Sequence, residues 1–261
     1  AIATVLSQCL SAGFVLYFLS KKAEYKVRLL YKEEIRTCGK DAKNIVSLGT
    51  AGFVMQLTNS LVSICCNNVL SATGGDVYVS VMTIISSVRQ MIETPIWSIS
   101  EGSSPVISYN YGAKRPKKVI EAWITMSVLA LIYSLIAWSV ILFAPKFLIG
   151  IFSSDKSLMI DTVPAMKLYF SAFIFMLFQY TGQTMFKSLN KKKQAIFFSI
   201  LRKVIIVVPM TYMFPYVFHM GSNGVFMAEP VSNVIGGSLC FIVMLLTVLP
   251  ELKQMNSDLS S

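Results

Sequence analysis

Apolar runs alternate along the chain with short polar gaps, and a membrane span needs about 20 largely apolar residues. The first run, Ala1–Ser20, carries no charge. A polar linker, Lys21–Lys43, follows with eight basic and four acidic residues. The second run starts at Asn44 and meets no charge until Asp76, and the segment Ser71–Asp76 (SATGGD) is predicted as its closing turn. The third is Val77–Ser100, interrupted by Arg89 and Glu93 and extending through Ile107. Ser108–Lys118, SYNYGAKRPKK, is then predicted as a loop whose glycine lets the chain turn. The fourth run, Val119–Phe143, ends at Pro145, and the interfacial stretch Lys146–Asp161 is expected to hold a short helix (KFLIGIF) and a turn (SSDKS). The fifth is Pro164–Leu189, closed by LNKKK, and the sixth is Gln194–Phe214, with Arg202, Lys203 and Pro209 inside it. After the loop PYVFHMGSNG comes the seventh, Gly224–Val248, with Glu229 and Pro230 near its start, and then a polar tail, Glu251–Ser261. No two-residue alternation is sustained, so an all-α integral membrane bundle of about seven transmembrane helices is predicted.

Composition agrees. Of 261 residues, 54% are hydrophobic and 14% charged, against about 25% charged in a soluble domain, and mean hydropathy is +0.63. The formal charge of +10 would raise nucleic acid as a partner in a soluble protein. Here the Lys and Arg residues cluster in the gaps between apolar runs, so membrane lipid is expected instead and no nucleic acid. The five cysteines contain no C-x-x-C pair, and four lie inside apolar runs as small hydrophobes. A single histidine, His219, argues against a His-based metal site. The sequence opens AIATVLSQCL, without Met or a signal peptide's n-region, and is read as beginning inside a transmembrane helix, as a fragment or processed product.

Placing Lys21–Lys43 in the cytoplasm puts SYNYGAKRPKK, LNKKK and the tail on the same side. These segments then hold 17 basic residues against two or three on the other side, the bias that sets orientation. A multi-pass protein of the plasma membrane with a cytoplasmic C-terminus is expected. A seven-helix receptor shares this topology, but D-R-Y and N-P-x-x-Y are both absent.

A charge inside a bilayer costs about 2.5–3.5 kcal/mol on insertion scales. Arg89 and Glu93, four apart, share a helix face, and read either as a self-neutralising pair or as a gate or proton-responsive site. Arg202 and Lys203 are adjacent, about 100° apart on a helix, so both are not expected to face one partner equally. Glu229 is a possible counter-charge, though expected nearer the outer side, and Lys203 is able to snorkel. Amides are abundant: Gln56, Asn59, Asn67 and Asn68 on the second run, Gln179 and Gln183 on the fifth, Asn233 on the seventh. They read as interhelical hydrogen bonds, worth about 0.6 kcal/mol each, or as a cavity lining. There is no G-x-S-x-G, P-loop, H-E-x-x-H or dinucleotide fingerprint. No enzyme, catalytic residue or metal site is expected.

Pro95–Ala122, PIWSISEGSSPVISYNYGAKRPKKVIEA, resembles the multidrug and toxic compound extrusion (MATE) family. Ser47–Asn68 (SLGTAGFVMQLTNSLVSICCNN) is similar to the seventh family helix, Phe178–Ala195 (FQYTGQTMFKSLNKKKQA) to the end of the tenth, and Gly221–Asn233 (GSNGVFMAEPVSN) to the start of the twelfth. The resemblance implies that residues 1–20 are the last helix of an N-terminal lobe, 21–43 the cytoplasmic inter-lobe linker, 44–250 the six-helix C-terminal lobe, and 251–261 a cytoplasmic tail. It implies H⁺- or Na⁺-coupled antiport efflux of amphipathic cationic drugs by alternating access, with no cofactor beyond the coupling ion and with a missing N-terminal lobe as partner. Gln56, Asn59, Gln179 and Gln183 are the candidate substrate contacts, with Phe53, Met55, Phe175 and Phe178 nearby. Arg89, Glu93, Arg202 and Glu229 are the candidate charge network. Some branches carry an acidic residue early in the seventh helix, where this chain has Gln56, so the coupling carboxylate is expected in the N-terminal lobe. Glu101 stands where the family usually has a neutral residue. The lipid-linked oligosaccharide flippases of the same superfamily are the alternative, and would be expected to line the cavity with more Arg and Lys.

Overall fold

The computed structural model describes residues 2–22 and 39–258, with side chains at 5–22, 46, 53 and 56–257. Every described segment is helix or short connection, with no strand among the described residues. In hydrocarbon each backbone N–H and C=O must be satisfied within its own segment, and a helix does this. Residues 1–50 and 51–261 form two compact units. The first contains α1 (Ile2–Lys21), an apolar helix with exposed Leu10, Phe14 and Leu16. Most of the expected linker, including Cys38, lies outside the described residues.

The second unit begins within α2 (Gly39–Gly112), whose one non-helical residue is Gly75, at φ 70° and ψ −168°. A side chain is excluded from that backbone region, and the chain reverses there. The expected six-residue turn Ser71–Asp76 is therefore a single-residue hinge, with helix on both sides. Asn59 and Ser63 on the first half then face Arg89 and Ser86 on the second. Hydroxyls on the second half bond back to carbonyls one turn earlier, Thr83 to Val79 at 2.9 Å and Thr94 to Gln90 at 2.6 Å, so these polar residues need no other partner.

The expected eleven-residue basic loop is also shorter. Helix continues to Gly112, and α3 (Pro116–Phe143) starts after three residues, with Pro at its first position. The glycine does not make the turn: Lys114 takes the left-handed conformation (φ 53°), and the Arg115 amide donates to the Asn110 carbonyl at 2.9 Å. Tyr111 donates to Glu251 at 2.6 Å, and Lys191 also donates to Glu251.

Next come α4 (Pro145–Phe152) and α5 (Lys156–Tyr169). Asp155 caps α5, accepting from the Ser157 amide and hydroxyl at 2.8 Å each. The Ser157 hydroxyl, and then its amide, hold the Asp155 carboxyl below its usual value of 3.8. The fifth expected span is two helices, because turns at Phe170–Ile174 separate α5 from α6 (Phe175–Ser188). The Trp138 indole donates to the Phe170 carbonyl at 3.0 Å, which also accepts from the Phe173 amide at 3.1 Å. The sixth span is α7 (Lys192–Ile200), a π-helical stretch Leu201–Val207, and α8 (Val208–Tyr216). The seventh is α9 (Ser222–Ser232), a second π-helical stretch Asn233–Gly237, and α10 (Ser238–Asp258). Helix thus runs through Glu251, and Leu252 is fully buried.

Among the described residues, four stretches are long and apolar enough to cross a membrane: Gln56–Gly112, Pro116–Phe143, Lys192–Tyr216 and Ser222–Ser257. The first is folded in two at Gly75. The described residues of the second unit gather into two apolar cores. One gathers Val69, Ile85, Ile96, Phe170, Met176 and Phe226, and the other Ile107, Met126, Phe186, Phe198, Cys240 and Met244. On α6, on α7 with its π stretch, and on α9 with its own, the residues between the two cores are polar: Gln179 and Gln183, Arg202 and Lys203, Glu229 and Asn233. The helices approach closely at this level. A side-chain carbon on Gly236 would lie 2.8 Å from Arg202 Cγ, and one on Gly237 would lie 2.5 Å from the Phe175 carbonyl oxygen.

Candidate functional site

The polar layer is organised on Glu229, a carboxylate 5% exposed. Arg202 donates to Glu229 Oε1 through Nη2 at 3.0 Å, and to Asn233 Oδ1 through Nη1 at 2.7 Å. Lys203 Nζ donates to both Glu229 oxygens, at 3.1 and 3.4 Å. Arg89 lies 3.7 Å from Glu229 and 3.7 Å from Glu93, and Tyr180 donates to Glu93 at 3.3 Å. Arg89, Glu93, Arg202 and Glu229 are thus brought together with Lys203, which does not snorkel but is buried.

Two expectations are corrected here. Arg202 and Lys203 share one partner because the backbone between them is π-helical, and its wider turn reduces the angle between neighbours. Glu229 stands level with both, where it had been expected nearer the outer side.

Beside this network lies a cavity of ≈ 80 Å³ lined by Asn59, Gln179, Tyr180, Gln183, Ser199, Arg202 and Lys203. A smaller one of ≈ 40 Å³ adjoins it through Asn59 and Lys203, and includes Arg89, Cys66, Tyr169 and Glu229 in its wall. Three of the four amides singled out as substrate contacts, Asn59, Gln179 and Gln183, line the larger cavity. Gln56 is exposed and lies outside both walls. Gln183 is already committed, its Nε2 donating to Ser199 Oγ at 3.1 Å and to the Ala195 carbonyl at 3.4 Å. Gln179 Oε1 is buried without a hydrogen-bond partner.

Of the aromatic residues expected near the amides, Phe178 and Phe53 lie outside both cavity walls. Phe178 packs on Phe241 with ring centroids 4.8 Å apart, and lines a separate apolar recess of ≈ 260 Å³ with Trp123, Leu131 and Leu177. Phe53 is exposed, and the side chain of Met55 lies outside the described residues. The sequence reading missed Tyr180 and Ser199 as cavity residues, since one hydroxyl in an apolar run carries no distinguishing signal. No cluster of His, Cys, Asp and Glu suited to a metal occurs among the described residues.

The sequence profile of the MatE family matches residues 52–213. The chain belongs to the MatE family. MatE proteins are transporters, not enzymes, and this one is a multi-pass membrane protein. No curated protein matches the chain.

Solved structures share the MatE fold over nearly all of the chain. A MATE protein in complex with MaL6 superposes with a TM-score of 0.82 at 20% identity, over 98% of this chain and 56% of that one. An outward-facing multidrug resistance MATE family transporter of the MOP superfamily gives 0.81 at 20% identity, with the same coverage. A MOP superfamily transporter from Pyrococcus furiosus gives 0.83 at 20% identity, also over 98% and 56%. That protein is described as having a binding pocket of reverse polarity that suggests a different function. The chain spans just over half the length of these structures. Within the MatE match lies Glu101, which pairs with Lys187 at 2.7 Å. The Glu101 carboxylate therefore answers a basic residue at the end of α6.

Proposed function

We propose that this chain is the C-terminal lobe of a MatE transporter that exports small amphipathic molecules by alternating access, driven by H⁺ or Na⁺. In this reading residues 44–250 are the lobe, 1–20 the last helix of a partner N-terminal lobe, 21–43 the linker, and 251–261 the terminal tail. The basic clusters at Lys114–Lys118 and Lys191–Lys193 face the cytoplasm of the plasma membrane, as does the C-terminus, because their charge resists translocation. The coupling carboxylate belongs to the N-terminal lobe. Both carboxylates of the polar layer, Glu93 and Glu229, are already held by Arg89, Arg202 and Lys203.

One observation carries the reading: a small polar cavity lined by buried amides between two apolar cores in a MatE fold. A soluble cofactor enzyme has no use for such a layer, whereas a lobe that rocks against a partner uses it as one wall of a substrate path. Arg202 and Lys203 in the wall also favour the flippase alternative, but ≈ 80 Å³ leaves no room within this lobe for an oligosaccharide. The test is the chain joined to its N-terminal lobe in everted vesicles, with fluorescent amphipathic probes and an imposed H⁺ or Na⁺ gradient. Gradient-driven accumulation, lowered by Gln179→Leu at equal vesicle content, is expected. No accumulation under either gradient would overturn the proposal.

A further inference from the structure

The wall of the ≈ 80 Å³ cavity carries two cations, Arg202 and Lys203, and no carboxylate; its other lining residues are uncharged. Glu229, which neutralises them, opens onto the smaller neighbouring cavity. The wider count is also uneven. Among the described residues, the carboxylates that Arg89, Arg202 and Lys203 face are Glu229 and Glu93, which leaves one positive charge over. Excess charge in a low-dielectric interior is costly until a counter-charge enters.

The donors around the space suit such a counter-charge. Ser199 accepts from Gln183 and keeps its own hydroxyl proton to donate. Gln179 Oε1 is buried without a partner, and a half-turn of its carboxamide presents the NH₂ group instead. The space exceeds the ~10–15 Å³ that one water requires, so a carboxylate-sized group fits.

We propose that this cavity binds an oxyanion group, a carboxylate or phosphate, held between Arg202, Lys203, Ser199 and Gln179. The group is either the charged end of an amphipathic molecule or a free anion. The first source rests on the transport function proposed above; the site itself does not. Such a site takes the charge opposite to that of the cationic substrate the resemblance implies, because no carboxylate in the wall is available to a cation.

The test is direct binding to the purified 261-residue chain in detergent at fixed chloride. Salicylate, a fluorescent aryl carboxylate, is compared with its uncharged amide and with ethidium, a permanent cation. Salicylate is expected to bind on the order of tenfold more tightly than the amide, the value of about one buried charge contact after desolvation. Lys203→Gln should abolish that preference, Lys203→Arg should retain it, and Glu93→Gln, which adds to the excess, should increase it. Displacement of salicylate by acetate would identify the carboxylate alone as the ligand, and failure of acetate to compete would identify the amphipathic anion. Equal binding of salicylate and its amide, or tighter binding of ethidium, would overturn the proposal. If Lys203→Gln does not fold, an unchanged preference in Glu93→Gln overturns it equally. Binding is read without transport, so loss of gradient-driven export alone would refute the transport function and leave this site standing.

Discussion

Replacing Glu229 by Gln removes the one carboxylate that three cations share. Arg202 and Lys203 hydrogen-bond to it at 3.0 and 3.1 Å, Arg89 approaches to 3.7 Å, and water is largely excluded. Gln has nearly the same shape, so packing is kept and the change is electrostatic. Breaking a buried ion pair from one side costs about 3–5 kcal/mol, because the remaining charge stays buried and uncompensated. For a chain of this size that corresponds to a fall in Tm of roughly 6–20 °C. Melting of the purified chain in detergent, followed by tryptophan fluorescence, reads the shift. Glu93→Gln is the control: Glu93 is more exposed than Glu229 and faces one arginine at 3.7 Å, so its shift should be the smaller. The double variant Glu229→Gln/Lys203→Met should recover part of the loss, since it removes one of the stranded cations. A Tm for Glu229→Gln within a degree of the parent, or a double variant less stable than the single one, would refute the reasoning.

Gly75→Ala should cost about 1–3 kcal/mol, since φ 70° with ψ −168° is a region closed to side chains; an unchanged melting temperature would show that the hinge relaxes without loss. The lowered Asp155 carboxyl predicts a pH-dependent cap on α5. Its contribution is present above the ordinary value of 3.8 and is lost as pH falls through the lower folded value. The stability difference between parent and Asp155→Asn, which does not titrate, should be constant above that pH and change below it; a constant difference at every pH would refute the assignment.

The helical, membrane-spanning character of the chain was legible because one physical signal, the length of apolar runs, dominates in hydrocarbon. Its breaks were less so. The interruption at Phe170–Ile174 contains neither Gly nor Pro; backbone bonds three residues apart carry the chain through it, and the Trp138 indole adds a bond to the Phe170 carbonyl that no local pattern anticipates. The turn at Ser71–Asp76 read as a loop from its small and polar residues, yet one glycine suffices when helix can continue on both sides. In the candidate site the amides were visible as polar positions in apolar runs, but their fates differ through tertiary contact. Gln183 found Ser199, the Gln179 carbonyl oxygen found no partner, and Gln56 stayed exposed. Depth along a regular helix sets Glu229 apart from Lys203, and a uniform 100° step sets Arg202 apart from Lys203, but the backbone is π-helical through the polar layer and keeps neither.

The two π-helical stretches make the spacing of residues a structural quantity in its own right. Buried positions from α7 to α8 recur every fourth residue: Ala195, Ser199, Lys203, Val207, Thr211 and Pro215. From α9 to α10 they do so again, through Gly224, Ala228, Ser232, Gly236, Cys240, Met244, Val248 and Leu252. On a regular helix each such step overshoots a full turn by about 40°, and the buried stripe would wind away from its neighbours. A wider turn midway absorbs part of that drift. The two helices are thus phased by chain length as well as by composition. A one-residue deletion in the regular turns of α7, even of the exposed Phe197, would turn Lys203, Val207, Thr211 and Pro215 by about 100° relative to Ala195, whereas one inside Leu201–Val207 would be taken up in part by closing the wider turn.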